Sequence, residues 1–334
     1  THGLVAYTAM MKGLHVYVQK PLTHTLAEAR LLTHTAAEQK VVTQMGNQGG
    51  SNPGVQKVIE WVDDKRIGTI NKVFIWTNRP VWPQGVKFPE SDPGAKPEQM
   101  EWDLWLGPAR NRSYVPNLHP FNWRGFWDFG TGALGDMGCH LFDAPYKARK
   151  LGYPTGVQAS VADIYSRMWS PDYTPEGCPV SSRVIIDFPA DDNNPEGVMI
   201  EWTDGGIMPM IPEEISTHFK PVDSGVIMTG DKGIITIDTY GNHPRLYING
   251  EEVDHLDTDN AGNLDLLHNQ SWTEACKAGY GSKEHQALQS SFDYAGPFTE
   301  TVIMGNLAIR AYQIRNEFRS YNGRTTYDYF GRKK

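Results

Sequence analysis

Three side chains that can exchange protons stand on one predicted helix. Asp136, His140 and Asp143 occupy positions i, i+4 and i+7 of the helix predicted for residues 130–152, so they share one face. An imidazole can take a proton from a hydroxyl group, and a carboxylate can orient the ring and stabilise its cation. The same spacing also fits a plain hydrogen-bond network, and such side chains can ligate Zn²⁺ or Mn²⁺. We expect no metal, because no second cluster in the sequence supplies further ligands.

Lys20 is a candidate for the same reaction. It follows a predicted strand over residues 15–18, and ligands of open α/β sheets collect just outside the carboxyl ends of parallel strands. A lysine there can hydrogen-bond a reacting oxygen and stabilise the negative charge that develops on it. The alternative is a lysine that simply leaves a strand for solvent. Cys139 adjoins His140, but neighbouring helical residues point about 100° apart, so we exclude a Cys–His nucleophile pair.

The stretch just before the predicted helix combines aromatic and polar side chains. A flat ring beside hydrogen-bonding groups suits a sugar or polyol, whose C–H face stacks and whose hydroxyls need partners. The alternative is a long loop that its tryptophans pin to the core. The candidate substrate residues are His119, Asn122, Trp123, Arg124 and Asp128, with Tyr294 near the C-terminal helix as a further candidate.

The elements that position these residues begin with a helix–strand–helix–strand order. Residues 4–11 and 25–40 have helical patterns, the second with a capping box that starts at Thr25. Residues 15–18 and 41–45 are typical of buried strands. This order predicts a parallel α/β sheet. Two parallel strands cannot bury both faces of a sheet, so we expect either a missing preceding segment or another element over the exposed edge.

The pattern changes after residue 50. A helix is predicted over 53–67 and a strand over 70–77. The loop-rich segment 79–130 follows, and a loop of this length inside a compact domain usually has a function or forms a lid. Beyond the helix at 130–152, the sequence predicts a mostly antiparallel sheet and then more helices. The strands are predicted at 157–165, 181–188, 197–203, 226–229, 233–238 and 245–248, and the helices at 263–279 and 297–318.

Composition excludes several classes of protein. The 334 residues carry a formal net charge of −8 and show no basic block beyond the last three residues, which argues against nucleic-acid binding. No apolar run of about 18 residues is present, so we predict no membrane span. The three cysteines form no C-x-x-C pair, so neither a zinc ribbon nor a disulfide scaffold is indicated.

Several segments resemble one family of oxidoreductases. HVYVQKPLTHTLAEARLL resembles the "EKP" segment of the glucose–fructose oxidoreductase/inositol dehydrogenase (Gfo/Idh/MocA) family. GTGALGDMGCHLFD resembles its catalytic helix with the D-x-x-x-H pair, and GDKGIITIDTYG its sheet-edge turn. The resemblance is strongest to a long-loop bacterial subgroup, through WDLWLGPARNRSY, HPFNWRGFWDFGTGALGDMGCH and SFDYAGPFTE.

The resemblance implies a fold, a cofactor and a set of site residues. The fold class is α/β followed by α+β. Residues 1–50 would be the C-terminal part of a dinucleotide-binding (Rossmann) domain, and residues 51–334 a substrate-binding and oligomerisation domain. Lys20, Asp136 and His140 would be catalytic. NAD or NADP would contact Gln19, Lys20, Pro21 and Gln48.

Two departures from the family pattern bear on the cofactor. The family's glutamate before the lysine is Gln19, and the glycine-rich fingerprint G-x-G-x-x-G is absent from the sequence. By family comparison, about the first four strands of the nucleotide domain are missing. Those strands carry the pyrophosphate site and the acidic residue that contacts the ribose, so the sequence does not distinguish NAD from NADP.

We therefore expect an NAD(P)-dependent oxidoreductase that acts on a hydroxyl of a sugar, polyol or glycoside and assembles as a homo-oligomer through its open sheet. One alternative is an NAD-dependent glycosidase or lyase that oxidises its substrate transiently. The other is a non-catalytic, oligomerising sugar-binding protein, which the missing fingerprint favours.

Overall fold

Two β-sheets of different size organise the chain in a computed structural model, which describes residues 1–168, 171–192, 194–313, 316–321 and 324–328. The small sheet pairs β1 (Val16–Gln19) with β2 (Thr43–Gly46) in parallel. Helix α1 (His2–Met10) precedes β1, and α2 (Leu26–Gln39) connects the two strands. The parallel strand–helix–strand unit predicted from the sequence is therefore confirmed.

Helix α2 begins with the predicted capping box. The Thr25 hydroxyl accepts a hydrogen bond from the backbone N–H of Glu28, and the Glu28 carboxylate accepts one from the backbone N–H of Thr25. These bonds satisfy donors that an α-helix leaves unpaired in its first turn. The cap fixes where the chain turns after β1 and thus holds the segment that contains Lys20.

The large sheet has eight strands. They are β3 (Ile70–Thr77), β4 (Gly156–Val161), β5 (Ser182–Phe188), β6 (Val198–Thr203), β7 (Ser224–Gly230), β8 (Ile234–Asp238), β9 (Arg245–Ile248) and β10 (Glu251–His255), in the spatial order β10-β9-β8-β7-β3-β6-β5-β4. Only β3 and β6 pair in parallel, and the other neighbours are antiparallel. A separate antiparallel pair joins β11 (Asn316–Tyr321) to β12 (Arg324–Asp328).

Seven α-helices follow α2 in the described part of the chain. They are α3 (Pro53–Asp63), α4 (Trp102–Leu106), α5 (Gly132–Leu141), α6 (Asp143–Ala148), α7 (Leu264–Ala278), α8 (Lys283–Gln286) and α9 (Phe292–Gln313). Helix α9 packs on α2 from one side and on β4 and β5 from the other. Leu32, Met45, Phe142 and Trp202 belong to one continuous buried cluster, so the two sheets share a core.

Several elements differ from the sequence prediction. The helix predicted over 130–152 is two helices, α5 and α6, which meet at Phe142. The helix predicted over 297–318 is wrong at both ends: α9 begins five residues before Pro297, which lies inside the helix, and residues 316–318 belong to β11. Strand β10 was not predicted, since its sequence Glu-Glu-Val-Asp-His is largely polar, as suits an exposed edge strand.

The loop-rich segment 79–130 builds a small core of its own. Trp102, Leu106, Val115, Leu118 and Phe126 are buried together there. Short helical elements, α4 among them, order this segment, and its residues 122–125 pack against α5. Among the described residues, no helix combines the length and the apolar character needed to cross a bilayer.

Candidate active site

A cavity of about 760 Å³ opens at the carboxyl end of β1. The chain that leaves this strand forms one wall, and the aromatic segment together with the start of α5 forms the other. The polar and charged side chains of the wall include Gln19, Lys20, His24, Arg124, Asp128 and Asp136. Lys20 thus lies at the strand end where open α/β sheets bind ligands.

Lys20 and Asp136 form the central ion pair of the cavity. The Lys20 Nζ donates to the backbone oxygen of Asp136 at 2.6 Å and lies 3.2 Å from its Oδ1. Arg124 approaches the same oxygen, with its Nε 3.5 Å away. The Lys20 and Arg124 cations therefore share one carboxylate. The hydrogen bond from Lys20 to the backbone of α5 fixes the position of its ammonium group, although the two residues are 116 positions apart in the sequence.

His140 lies one helical turn beyond Asp136 and outside the cavity-lining set. The two side chains share a helix face, but Asp136 does not orient the ring as the helical spacing predicts, since its bonds go to Lys20 and Arg124. Instead, the His140 Nδ1 bonds the Oδ1 of Asn47 at 3.1 Å. The spacing of Asp136 and His140 along the helix determines that they share a face. It does not determine which residue from another part of the chain forms a hydrogen bond with each of them.

The surroundings of His140 keep its ring neutral. Burial lowers the pKa of His140 well below its ordinary value, and the positive charge of Lys20 lowers it further. The ring also meets that of Tyr240 edge to face, with 4.6 Å between their centroids. A neutral imidazole next to an ammonium can accept a proton, as a general base requires.

The predicted cofactor residues are only partly brought together. Gln19, Lys20 and Pro21 line the cavity. Gln48 lies outside the lining, where its Nε2 reaches the hydroxyl of Tyr17 at 3.4 Å and the Oε1 of Gln19 at 3.5 Å. Gln48 thus contacts a residue that lines the cavity, Gln19, but does not line the cavity itself.

The predicted substrate residues divide into two groups. Trp123, Arg124 and Asp128 line the cavity, and a carboxylate oxygen of Asp128 accepts a bond from Arg112. His119 packs against Trp105, with 6.1 Å between ring centroids. The Asn122 amide donates to the backbone oxygen of Asn117.

Tyr294 belongs to the core instead of the cavity. Its hydroxyl donates to Asp143 at 2.8 Å, and its ring stacks on Phe298. Burial, with the neighbouring Asp143 carboxylate, raises the pKa of Tyr294 well above its ordinary value. Asp143 is itself buried and paired with Lys147 at 2.9 Å, so the third member of the helix-face series is part of the internal packing.

Three residues of the site region were not singled out in the sequence. His24 lines the cavity, and its Nε2 lies 3.2 Å from the backbone oxygen of Gly130. Asn47 follows the carboxyl end of β2, so the argument that selected Lys20 applies to it equally. Tyr240 lies in the turn after β8, within the GDKGIITIDTYG segment, and no sequence signal identifies its contact with His140.

One group of three potential metal ligands occurs among the residues that the structure describes. His243, Asp257 and Asp259 place ligand atoms within 4.8 Å of one another. The two carboxylates are largely exposed, with oxygens 3.8 and 3.2 Å from the ring nitrogens of the histidine. Exposed acidic groups are common without an ion, and we assign the cluster no role.

Comparison with known proteins agrees with this architecture. A model of the C-terminal alpha/beta domain of an oxidoreductase family, GFO_IDH_MocA_C2, matches residues 67–149, the part of the chain that holds Arg124, Asp136 and His140. No curated protein matches the sequence.

Solved structures share the fold at low sequence identity. The aldose-aldose oxidoreductase from Caulobacter crescentus, complexed with glycerol, has a TM-score of 0.56 at 15% identity, over 98% of this chain and 76% of that one. An oxidoreductase from Agrobacterium radiobacter, in complex with NAD⁺, L-tartaric acid and magnesium, has a TM-score of 0.52 at 12% identity, over 98% and 76%. A super-repressor mutant of Gal80p from Saccharomyces cerevisiae has a TM-score of 0.55 at 14% identity, over 92% and 74%. The family-model match over residues 67–149 and this shared fold agree with the resemblance to the Gfo/Idh/MocA family drawn from the sequence.

Proposed function

We propose that the protein is an NAD(P)-dependent oxidoreductase acting on a hydroxyl of a sugar, polyol or glycoside. The observation that carries the proposal is the Lys20–Asp136 pair in the cavity wall at the end of β1, with a neutral His140 one helical turn away. Oxidation of an alcohol needs proton-transfer groups besides the hydride acceptor. Lys20 and Asp136 supply such groups in the cavity wall, and His140 supplies one a helical turn beyond Asp136, outside the residues that line the cavity.

The cavity fits the reacting end of a nicotinamide cofactor together with a small substrate. Its volume of about 760 Å³ lies in the range of small-molecule sites, and it opens at a parallel-strand end. Gln19, Lys20 and Pro21 would hold the nicotinamide, which when bound supplies the hydride acceptor or donor. The Agrobacterium radiobacter oxidoreductase is bound to NAD⁺ in its crystal structure, which supports the same cofactor class for this chain.

The residues of the chain supply the proton chemistry. In the oxidation direction, the carbinol carbon loses a hydride, the hydroxyl oxygen loses its proton to His140, and a carbonyl forms. The Lys20 ammonium donates a hydrogen bond to the reacting oxygen and stabilises its developing negative charge. Asp136 holds Lys20 in place, and Trp123 presents a flat apolar ring to the C–H face of the substrate.

The substrate class follows from the wall opposite Lys20. Trp123, Arg124 and Asp128 combine one aromatic face with hydrogen-bonding groups, a combination that suits polyhydroxylated molecules. The Caulobacter crescentus enzyme is named for aldoses, which supports a sugar for this chain as well.

Assembly through the outer face of the large sheet is part of the proposal. Phe74, Ile185 and Met199 are partly exposed on neighbouring central strands, and Glu201 pairs there with Lys72 and Arg183. A second copy of the chain would cover this mixed apolar and charged face. Light scattering at high protein concentration should give a mass above that of one chain, and a monomer would contradict assembly.

A turnover assay tests the catalytic part. The protein is mixed with NAD⁺ or NADP⁺ and a panel of aldoses, polyols and aryl glycosides, and absorbance in the NADH band is followed. We expect turnover with at least one member and a loss of about 10²–10⁴-fold in Lys20→Met, with Lys150→Met as the exposed control.

The same assay separates the alternatives. Release of the aryl group without net formation of reduced nucleotide would indicate the glycosidase. Because a fold does not fix a function, sugar binding without nucleotide binding or turnover would refute the proposal in favour of the non-catalytic protein.

A further inference from the structure

The segment after β2 presents a buried amide to His140. Asn47 has 0% of its surface exposed, and its Oδ1 lies 3.1 Å from the His140 Nδ1. The His140 Nε2 has no hydrogen-bond partner among the described residues, and the residue as a whole is only partly buried. The two nitrogens of the imidazole therefore have different surroundings, and only Nδ1 has a partner in the described part of the protein.

A tight turn holds Asn47 in this position. Its backbone N–H donates to the oxygen of Met45 at 2.7 Å, and its backbone oxygen accepts from the N–H of Gly50 at 2.9 Å. Both hydrogen bonds lie next to the end of β2. The position of the Asn47 backbone is therefore set by the small parallel sheet. The amide is consequently a fixed part of the site and not a side chain free to leave the histidine.

The turn after β8 closes the other side of the ring. Tyr240 meets His140 edge to face and adopts the left-handed region with φ 64°, which is uncommon for a residue with a side chain. Its backbone packs so closely on Gly49 that an added Cβ there would lie 3.1 Å from the Tyr240 Cα. The imidazole is thus held between two turns from distant parts of the chain.

We propose that Asn47 is the positioning residue for His140: its Oδ1 accepts a hydrogen bond from the Nδ1–H group, which leaves Nε2 as the unprotonated nitrogen. This inference rests on the proposed function only where Nε2 is taken as the acceptor of the substrate hydroxyl proton. In a neutral imidazole one nitrogen carries the hydrogen and the other is the acceptor, so the partner of Nδ1 decides which nitrogen is available as the base.

The reverse arrangement makes a different prediction. If the Asn47 NH₂ group faced Nδ1, the hydrogen would be on Nε2, and His140 could not act as a base at that atom. The Nδ2 of Asn47 is buried without a hydrogen-bond partner in the described part of the chain. The two orientations of the amide therefore correspond to two tautomers of His140, which a spectrum can distinguish.

The charged and titratable groups around the ring are few. Lys20 approaches from the end of β1, Tyr240 from the turn after β8, and Asp136 stands one turn earlier on the same helix, paired with Lys20 and Arg124. Asn47 itself is uncharged. Replacing it with aspartate adds the one negative charge that would bond Nδ1 directly and favour the protonated ring.

Long-range ¹H–¹⁵N correlation spectra of the protein labelled at histidine read the tautomer of His140. In the wild type we expect Nδ1 protonated and Nε2 unprotonated at neutral pH. Asn47→Ala should shift the ring toward the Nε2–H form, and Asn47→Asp should keep Nδ1 protonated and raise the pH at which the second proton binds. Asn52→Ala is the matched control, because Asn52 is similarly buried in the same segment but bonds Asn242.

The proposal is overturned if the wild-type ring carries its hydrogen on Nε2, or if Asn47→Ala leaves the tautomer unchanged. Should Asn47→Ala fail to fold, the wild-type and Asn47→Asp spectra still decide the matter. With any panel member that turns over, Asn47→Asp should move the acidic limb of the kcat/KM profile to higher pH, and an unmoved limb would contradict the base assignment. Absence of turnover would refute the oxidoreductase proposal and leave the tautomer result standing.

Discussion

The Lys20–Asp136 pair allows a quantitative test of how the site is held together. Its side chains are 19% and 20% exposed. At 3.2 Å and an effective dielectric constant of about 20, the attraction would be about 5 kcal/mol. Exposed pairs retain about 0.2–1 kcal/mol of such an attraction. Because this pair is four-fifths buried but still reached by water, we expect a coupling free energy of about 2 kcal/mol.

A double-mutant cycle measures this coupling. The free energy of unfolding is determined by urea titration for the wild type, Lys20→Met, Asp136→Asn and the double variant. The bond from Lys20 to the Asp136 backbone oxygen is lost from both variants that lack the lysine, so it cancels in the cycle. The bond between Arg124 and Asp136 cancels in the same way.

The chain contains a control pair with nearly the same distance but different burial. Lys150 and Asp63 lie 3.1 Å apart with 56% and 52% of their side chains exposed. Their coupling should stay below about 0.5 kcal/mol and fall further at high salt. If the Lys20–Asp136 coupling were no larger than that of Lys150–Asp63, burial would not strengthen the pair, and our account of how Lys20 is fixed would be refuted.

Three further predictions concern stability and are checked by denaturant titration. Thr25→Ala removes the hydroxyl from the α2 capping box and should cost about 1 kcal/mol, whereas Thr25→Ser should retain most of it. Gly54→Ala would place a Cβ 2.0 Å from a backbone oxygen and should cost about 1–3 kcal/mol, while Gly152→Ala, which meets nothing within 4 Å, should be nearly neutral. Burial raises the pKa of Asp204 from 3.8 to about 6, so its contribution to stability is full below the unfolded-state value and is lost as pH rises through the folded-state value. Relative to Asp204→Asn, the wild type should therefore lose up to about 3 kcal/mol between pH 4 and pH 7, and a constant difference would contradict this.

The sequence predicts the parts of the site that depend on local pattern. Strand β3 begins and ends where its alternation does, and the cap of α2 follows from Thr25 and Glu28. Lys20 lies where the strand-end rule places it. These features depend on residues that are close in the chain, so the sequence contains their causes.

The sequence does not predict which residues from distant segments contact each other. Helical spacing put Asp136 and His140 on one face, yet Lys20 and Asn47, brought in by the small sheet, decide what each of them bonds. The family resemblance pointed to Gln48, and the sequence did not single out Asn47 one residue earlier, because register within a turn is set by backbone bonds such as that from Gly50 to Asn47. The partner of a catalytic side chain therefore follows from tertiary packing, which local propensity does not encode.

The origin of these partners implies that the site and the core form together. Lys20 and Asn47 directly follow the two strands of the small sheet, Asp136 and His140 belong to α5, and Tyr240 lies in the turn after β8 of the large sheet. Their relative positions depend on the shared buried cluster in which Met45, Phe142 and Trp202 take part. A substitution in that cluster should therefore lower the proposed activity through loss of geometry as well as through loss of folded protein. Only a measurement that reads the site directly, such as the Lys20–Asp136 coupling or the His140 tautomer, separates the two effects.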